Sequence, residues 1–432
     1  MDMSILVLLV SFVILVAFNV PIAFSIGLST MFTMLFTIPV GPAITTIAQR
    51  MATGIDSFAL LAIPFFILSG QLMGRGGIAR RLIDFAKVLV GMFPGGLAYV
   101  NVVACMFFGA ISGSAAAATT AIGGFMIPVM NKEGYDKNFN TALTVTASTT
   151  GLLIPPSNIL IVYSLASGGV SIAALFIAGY IPGILLGLGL IGAAAIIATI
   201  RKYPKGERPT LIYAIKKLGD AIPSLMLIVI VIGGIIGGVF TATEASAIAV
   251  LYSLLLSVVF YKEVKVNQLS EILLKTVEIT AMVMLLIGAS SAMSWILSYE
   301  NIPQSISHAL VSMTESKFLI LLIINLILLV VGTFMDMTPA VLIFTPIFLP
   351  VVATLGISPL HFGIMMILNL CIGLTTPPVG TVLFVGCGIG KTTIGDLAKS
   401  LLPFYAVMIV VLMLITYIPW LTEALPTLFG YM

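Results

Sequence analysis

Asp336 stands in the run FMDMTPA, in the middle of a long apolar segment. A carboxylate at membrane depth is costly and by default functional, as a cation ligand or a proton carrier. The plainer use of the same residue is to cap a helix start. Two other stretches offer oxygen chemistry. Gly151–Asn158, GLLIPPSN, and Gly373–Thr381, GLTTPPVGT, each place two prolines where a helix is expected to run. Adjacent prolines remove two backbone donors and clash with the preceding turn, so the helix must break. A break leaves carbonyls at one half-helix end and amides at the next half-helix start. The carbonyls suit a hard cation such as Na⁺, and the amides suit an anion. Ser112-Gly113-Ser114 and Asp336-Met337-Thr338 face these breaks, with Ser157, Asn158, Thr375, Thr376 and Thr381 adding side-chain oxygens. Such a donor set lacks the His and Cys ligands of a transition-metal site.

The elements that must position these residues follow from composition. The chain has 432 residues, of which 60% are hydrophobic and 8% charged, with a mean hydropathy of +1.22. Soluble domains carry about 25% charged residues. The fold class is therefore an all-α polytopic membrane protein. The net charge of +3 gives no sign of nucleic-acid binding, and the surrounding lipid is the main contact. Cys105, Cys371 and Cys387 have no CxxC spacing and read as packing residues. The N-terminal run MDMSILVLLV has no basic region before its apolar residues, as expected of a retained first span.

Polar breaks divide the apolar runs into spans at 4–19, 21–38, 56–73, 138–166 and 172–200, then 223–241, 244–261, 277–298, 361–387 and 403–421. Segments 94–130 and 318–351 are too long for one span, and small or polar residues interrupt each near its middle (ISGSAAAATT and FMDMTPA). Each reads as a re-entrant helical hairpin, since non-helical backbone at membrane depth must be buried in protein or line a watery cavity. The best candidate for a mobile linker is Arg201–Thr210, RKYPKGERPT. Basic residues cluster before the first hairpin and in this linker, whereas 299–317 sets Glu300 and Glu315 against Lys317. The positive-inside rule then brings the first hairpin in from the cytoplasm and the second from outside, with both termini outside.

The two halves repeat each other. Pro128 aligns with Pro350, an offset of 350 − 128 = 222, and the same offset pairs Gly151 with Gly373, Pro155 with Pro377, Pro156 with Pro378 and Ser114 with Asp336. Five spans and a hairpin per half, an odd number of crossings, reverse the second half. The expected organisation is a first inverted repeat over 1–200, a cytoplasmic linker over 201–222 and a second inverted repeat over 223–432. Matching broken helices in inverted repeats point to a transporter's binding site. Asp56 and Glu244 each sit where a span begins, and the helix dipole accounts for both. The stretch Gly386–Thr393, GCGIGKTT, imitates a phosphate loop, but Val385 stands where that motif needs its first Gly.

The run GAISGSAAAATTAIGGFMIPVMNKEGYDKNFNTALTVTASTTGLLIPPSN, with its echo GTFMDMTPAVLIFTPIFLPV and GLTTPPVG, resembles the large membrane subunit of tripartite ATP-independent periplasmic (TRAP) transporters along essentially the whole chain. The resemblance implies a Na⁺-coupled secondary transporter of the bacterial inner membrane. It also implies a periplasmic binding protein that delivers an organic acid, and a separate small four-helix membrane subunit. An elevator motion would carry the hairpins and broken spans against a scaffold. Carried over by motif, Ser112, Gly113, Ser114, Gly151 and the carbonyls near Pro155 would form one Na⁺ site, and Asp336, Thr338, Gly373 and Thr376 its partner. Substrate would lie between the tips, within reach of Ser157, Asn158, Thr375 and Thr381. The stretches GYDKNFNTA and ASGGVSIAALFIAGYIPG look most like the sialic-acid branch, beside which a C4-dicarboxylate-like anion is the other substrate. The competing expectation is a stand-alone ion-coupled carrier of similar fold, without a binding protein. A channel is a further possibility, which opposed hairpins disfavour. An intramembrane enzyme is disfavoured by the lack of HExxH or a GxGD setting.

Overall fold

The computed structural model describes residues 3–206, 208–314 and 316–432. The expectations that involve Met1, Asp2 and Glu315 lie outside them. The first half holds α1 (Met3–Ala17), α2 (Ile22–Thr37), α3 (Val40–Ile55), α4 (Ala62–Arg75), α5 (Ile78–Val90), α6 (Gly96–Ser112), α7 (Ala115–Ala118), α8 (Gly124–Lys132), α9 (Lys137–Ser148), α10 (Asn158–Ala166) and α11 (Ile172–Ile200). The second holds α12 (Leu211–Ile236), α13 (Ala242–Leu254), α14 (Leu269–Tyr299), α15 (Ile302–Met313), α16 (Lys317–Phe334), α17 (Met337–Thr354), α18 (Pro359–Gly373), α19 (Thr381–Gly390), α20 (Ile394–Tyr417) and α21 (Trp420–Leu428). Eight of the described helical segments are long and apolar enough to cross a membrane.

The helix boundaries carry the offset found in the sequence. Adding 222 to the start of α7, the end of α8 and the starts of α9 and α11 gives the start and end of α17 and the starts of α18 and α20. The first long segment folds back on itself: Asn101 near the start of α6 sends its amide to the Met130 sulfur near the end of α8, 3.9 Å away.

Among the described residues four helices appear where no span was expected: α3, α5, α15 and, at the end, α21. In α5, Ile78, Leu82, Ile83 and Ala86 are buried at a spacing that makes one stripe, with Arg80 and Lys87 off it. This is an amphipathic helix rather than a crossing one, and the same holds for α3, which carries Gln49 and Arg50. The third, α15, fills the segment before the second hairpin.

The first residues of the stretch Arg201–Thr210, of which Glu207 lies outside the described residues, pack on the first half. Tyr203 stacks on Tyr135 with ring centroids 4.2 Å apart, and its hydroxyl accepts the Asp136 amide at 3.1 Å. Arg201 pairs with Asp136 at 3.2 Å, and the Gly95 amide donates to the Pro204 carbonyl at 3.1 Å. Past it, α12 begins at Leu211, twelve residues before the expected span start at 223. Its first turns carry Lys216 and Lys217, and Lys217 pairs with Asp84 of α5 at 2.6 Å.

Packing gathers most helices into two groups, bridged by α5, which lies on α6, and α12, which lies on α5 and α13. One gathers α1 to α4 with α13 and α14; the other gathers α6 to α11 with α16 to α20. They meet where α14 lies on α17 and α4 on α6. Within the second group α10 packs on α17, and α19 packs on the turn that joins α7 to α8. Each hairpin thus receives the restarted helix of the other half. The Cys371 thiol donates to the Thr149 carbonyl at 3.5 Å. These two residues are themselves related by the offset of 222, so the broken helices touch back to back at equivalent points.

Two glycine pairs fasten each hairpin to the break in its own half. A Cβ on Gly151 would stand 2.2 Å from the Gly109 Cα, and one on Gly373 would stand 2.5 Å from the Gly332 Cα. Backbone meets backbone there, so neither neighbour can rotate away. Gly151→Ala and Gly373→Ala are expected to destabilise the protein by about 1–3 kcal/mol, the cost of overpacking. Gly192→Ala, which meets nothing within 4 Å, should leave the thermal midpoint in detergent unchanged. Equal midpoints for all three variants would contradict the contact.

Candidate functional site

The first hairpin tip is shaped by Gly113, whose φ of +61° ends α6 in the left-handed region. Ser114 then caps α7 by accepting the Ala117 amide at 3.3 Å, and the Ser112 hydroxyl donates to the Ser114 carbonyl at 3.4 Å. Across from this tip, α9 tightens into a 3₁₀ turn over Thr149–Leu152, and the chain passes through Pro155-Pro156 before α10 starts at Asn158. A Cβ on Gly113 would lie 3.3 Å from the Asn158 amide nitrogen. The tip and the restarted helix therefore share one space. The Asn158 side-chain oxygen is buried there without a hydrogen-bond partner.

The second hairpin turns at Met335 and Asp336. Asp336 occupies the capping position of α17, but its side chain makes no capping bond. Its carboxylate instead accepts the Thr381 hydroxyl at 3.4 Å, and it remains open to solvent. The Thr333 carbonyl, just before the tip, receives both the Val379 and Gly380 amides at 3.3 Å. Glu244, by contrast, closes a capping box with Thr241. The end of GCGIGKTT likewise proves to be a helix boundary, where Thr393 caps α20.

The carbonyls of the breaks decide what the site can do. Leu152, Thr150, Gly373 and Leu374 carbonyls are taken by local donors, and the Thr375 carbonyl accepts the Tyr405 hydroxyl. Among the described residues no donor reaches the carbonyls of Ile154, Pro155 and Pro156, or those of Thr376, Pro377 and Pro378. The first three are buried, where backbone acceptors are nearly always paired, whereas Thr376 and Pro377 are partly open and Pro378 is exposed. That arrangement can hold a small cation, with Asp336 supplying formal charge on one side.

The candidate residues separate by accessibility. Gly113, Ser114, Asn158, Thr338, Asp336 and Thr381 are at least partly open, as is Thr376, whose hydroxyl donates to the Ile372 carbonyl. Ser157 and Thr375 are fully buried, with their hydroxyls donated to the Leu152 and Ile372 carbonyls at 2.6 and 2.8 Å. These two shape the breaks from inside rather than face the open space. Thr333 and Tyr405 were not singled out from sequence. Thr333 acts through its carbonyl, which no residue type announces. Tyr405 lies thirty residues beyond Thr375 in an unbroken apolar helix, where only the fold brings it back.

The chain matches the family model described as the tripartite ATP-independent periplasmic transporter DctM component over residues 9–421. It is 56% identical to the uncharacterised protein YgiK of Salmonella typhimurium, covering 99% of this chain and 98% of that one. It is 40% identical to the C4-dicarboxylate TRAP transporter large permease protein DctM of Pseudomonas aeruginosa, covering 94% of each. It is 39% identical to the sialic acid TRAP transporter large permease protein SiaM of Vibrio cholerae, covering 94% and 96%. Its fold is similar to that of the Alcanivorax borkumensis YdaH transporter, with a TM-score of 0.66 at 14% identity over 91% of each chain. The chain belongs to the DctM-component family of tripartite ATP-independent periplasmic transporters and is a multi-pass protein of the bacterial inner membrane.

Proposed function

We propose that this chain is the large subunit of a Na⁺-coupled importer of organic acids, working with a small four-helix membrane subunit and a periplasmic binding protein. The observation that carries the reading is the pair of breaks with unspent carbonyls, each beside a hairpin tip and one beside Asp336. Oxygen donors without soft ligands suit Na⁺. One site takes Ser112, Gly113, Ser114, Gly151 and the carbonyl of Pro155; the other takes Asp336, Thr338 and Thr376, while Gly373, whose carbonyl accepts the Thr376 amide, shapes the break. Asn158 and Thr381, at the starts of the restarted helices, reach the substrate between the tips.

Relatives named for a C4-dicarboxylate and for sialic acid match almost equally, at 40% and 39%. The substrate class we propose is therefore the carboxylate-bearing organic acid, sialic acid among them. The two packed groups support an elevator in which α6 to α11 and α16 to α20 move against α1 to α4, α13 and α14. The inverted relation of the halves, with both termini outside, follows from the odd number of crossings and the placement of basic residues.

In proteoliposomes, uptake should require Na⁺, the small subunit and the binding protein together; uptake by this chain alone would sink the tripartite reading. Asp336→Asn should raise the half-saturating Na⁺ concentration of uptake about tenfold or more, the effect of losing about 1.4 kcal/mol. Normal elution on size exclusion would show that the variant is folded, and an unaltered Na⁺ titration would remove Asp336 from the site. Asn158→Ala should weaken apparent substrate affinity. Ser157→Ala should instead lower thermal stability by about 1 kcal/mol, the worth of one hydrogen bond, and an affinity loss for Ser157→Ala equal to that for Asn158→Ala would reverse the order drawn from accessibility.

A further inference from the structure

Away from the breaks, the boundary between the two helix groups holds an open cleft of about 240 Å³, far more than a single water needs. One wall is apolar and comes from Leu165 of α10 and Leu342 of α17. These residues lie seven positions past Asn158 and six past Asp336, about 10 and 9 Å along their helices. The same two helices that begin at the hairpin tips therefore lead into this cleft.

The facing wall belongs to the other group and consists of donors. Arg50 of α3 and Ser290, Ser291 and Ser294 of α14 line it. Ser290 is 4% exposed, and its hydroxyl is buried with no hydrogen-bond partner. Ser294 lies one turn further on the same face. The Arg50 guanidinium sits 5.6 Å over the Trp295 ring. Among the described residues no carboxylate pairs with it. Gly54 lets α3 come this close, since a Cβ there would stand 2.2 Å from the Ser291 hydroxyl oxygen.

An unpaired guanidinium beside an unspent buried hydroxyl, opposite an apolar wall, is a recognition site for an anionic oxygen pair on a small organic body. Arginine's planar fork matches a carboxylate in two parallel bonds. We infer that this cleft is a second carboxylate-binding subsite, in which the organic acid is held by Arg50 and Ser290 before it passes along α10 and α17 to the tips. The inference rests on the organic-acid reading for its ligand, but not on the Na⁺ ligands.

The chain has two tryptophans, and Trp420 is 67% exposed. In a Trp420→Phe background of the full chain, Trp295 is the sole tryptophan, with Arg50 over its ring and Tyr299 stacked on it. Titration with succinate or N-acetylneuraminate should give a saturable change in emission, and succinamide should give none. Arg50→Gln should abolish the response, and the gentler Arg50→Lys should raise the apparent Kd about tenfold by losing the fork. Asp336→Asn should keep the response, so a failure of the Na⁺ assignment and a failure of this subsite are read separately. No saturable change with either acid, or a change that survives Arg50→Gln, overturns the inference. So does a response confined to inorganic phosphate or to phosphatidylglycerol nanodiscs, which would mark a phosphate or lipid-headgroup site instead.

Discussion

Each hairpin lies against the break of its own half with no side chain between them, and the site depends on that contact. Gly109 against Gly151 and Gly332 against Gly373 bring main chain onto main chain. Only this approach places the tip at Gly113 beside Asn158, and the tip at Asp336 beside Thr381. A methyl group at either break would collide with the facing main chain, at 2.2 or 2.5 Å, and force hairpin and break apart. The glycines therefore set the geometry that the polar residues use.

The contact also explains how unspent carbonyls survive in the interior. Open acceptors are expensive away from water, and the proline pairs guarantee that the helix cannot close over them. The surroundings limit the damage by spending several neighbouring carbonyls. Ser157 covers Leu152, Tyr405 covers Thr375, and Thr333 accepts two amides from the second break. What remains open is a short run on each side rather than a frayed helix. A bound cation would supply the missing partner, which ties the stability of the breaks to occupancy of the site.

Much of this arrangement was legible because it is written in residue types with rigid backbone consequences. Pro-Pro pairs, the glycines at one offset and the polar hairpin tips located both breaks, and the helix boundaries repeat at that same offset. What escaped was carried by weaker signals. The stripe of α5 has a helical period but too many charges for a span, and α3 and α15 are likewise too short or too polar. The segment Arg201–Thr210 reads as a linker because Pro, Gly and Lys punctuate it. Yet Tyr203 and Arg201 are held by Tyr135 and Asp136, residues more than sixty positions away. Which hydroxyls face inward was also hidden. Ser157 and Thr381 look alike in sequence, but one is spent on a carbonyl while the other meets Asp336.

The halves differ in the feature that matters for coupling. In the first, the element at the tip is Ser114, a neutral cap that spends its oxygen on the Ala117 amide. In the second, the equivalent residue is Asp336, which leaves its helix uncapped and reaches across to Thr381. The first break is sealed, with Gly151 to Ser157 all buried, whereas Pro378, Val379 and Thr381 of the second are exposed. A cation entering the first site must be held by neutral oxygens in a closed space; one entering the second meets formal charge at an open one. If both breaks bind a cation as proposed, sites of similar backbone and different charge would differ in affinity and in exchange with solvent. On that proposal, the open second break with Asp336 at its tip would exchange its cation more readily than the buried first one.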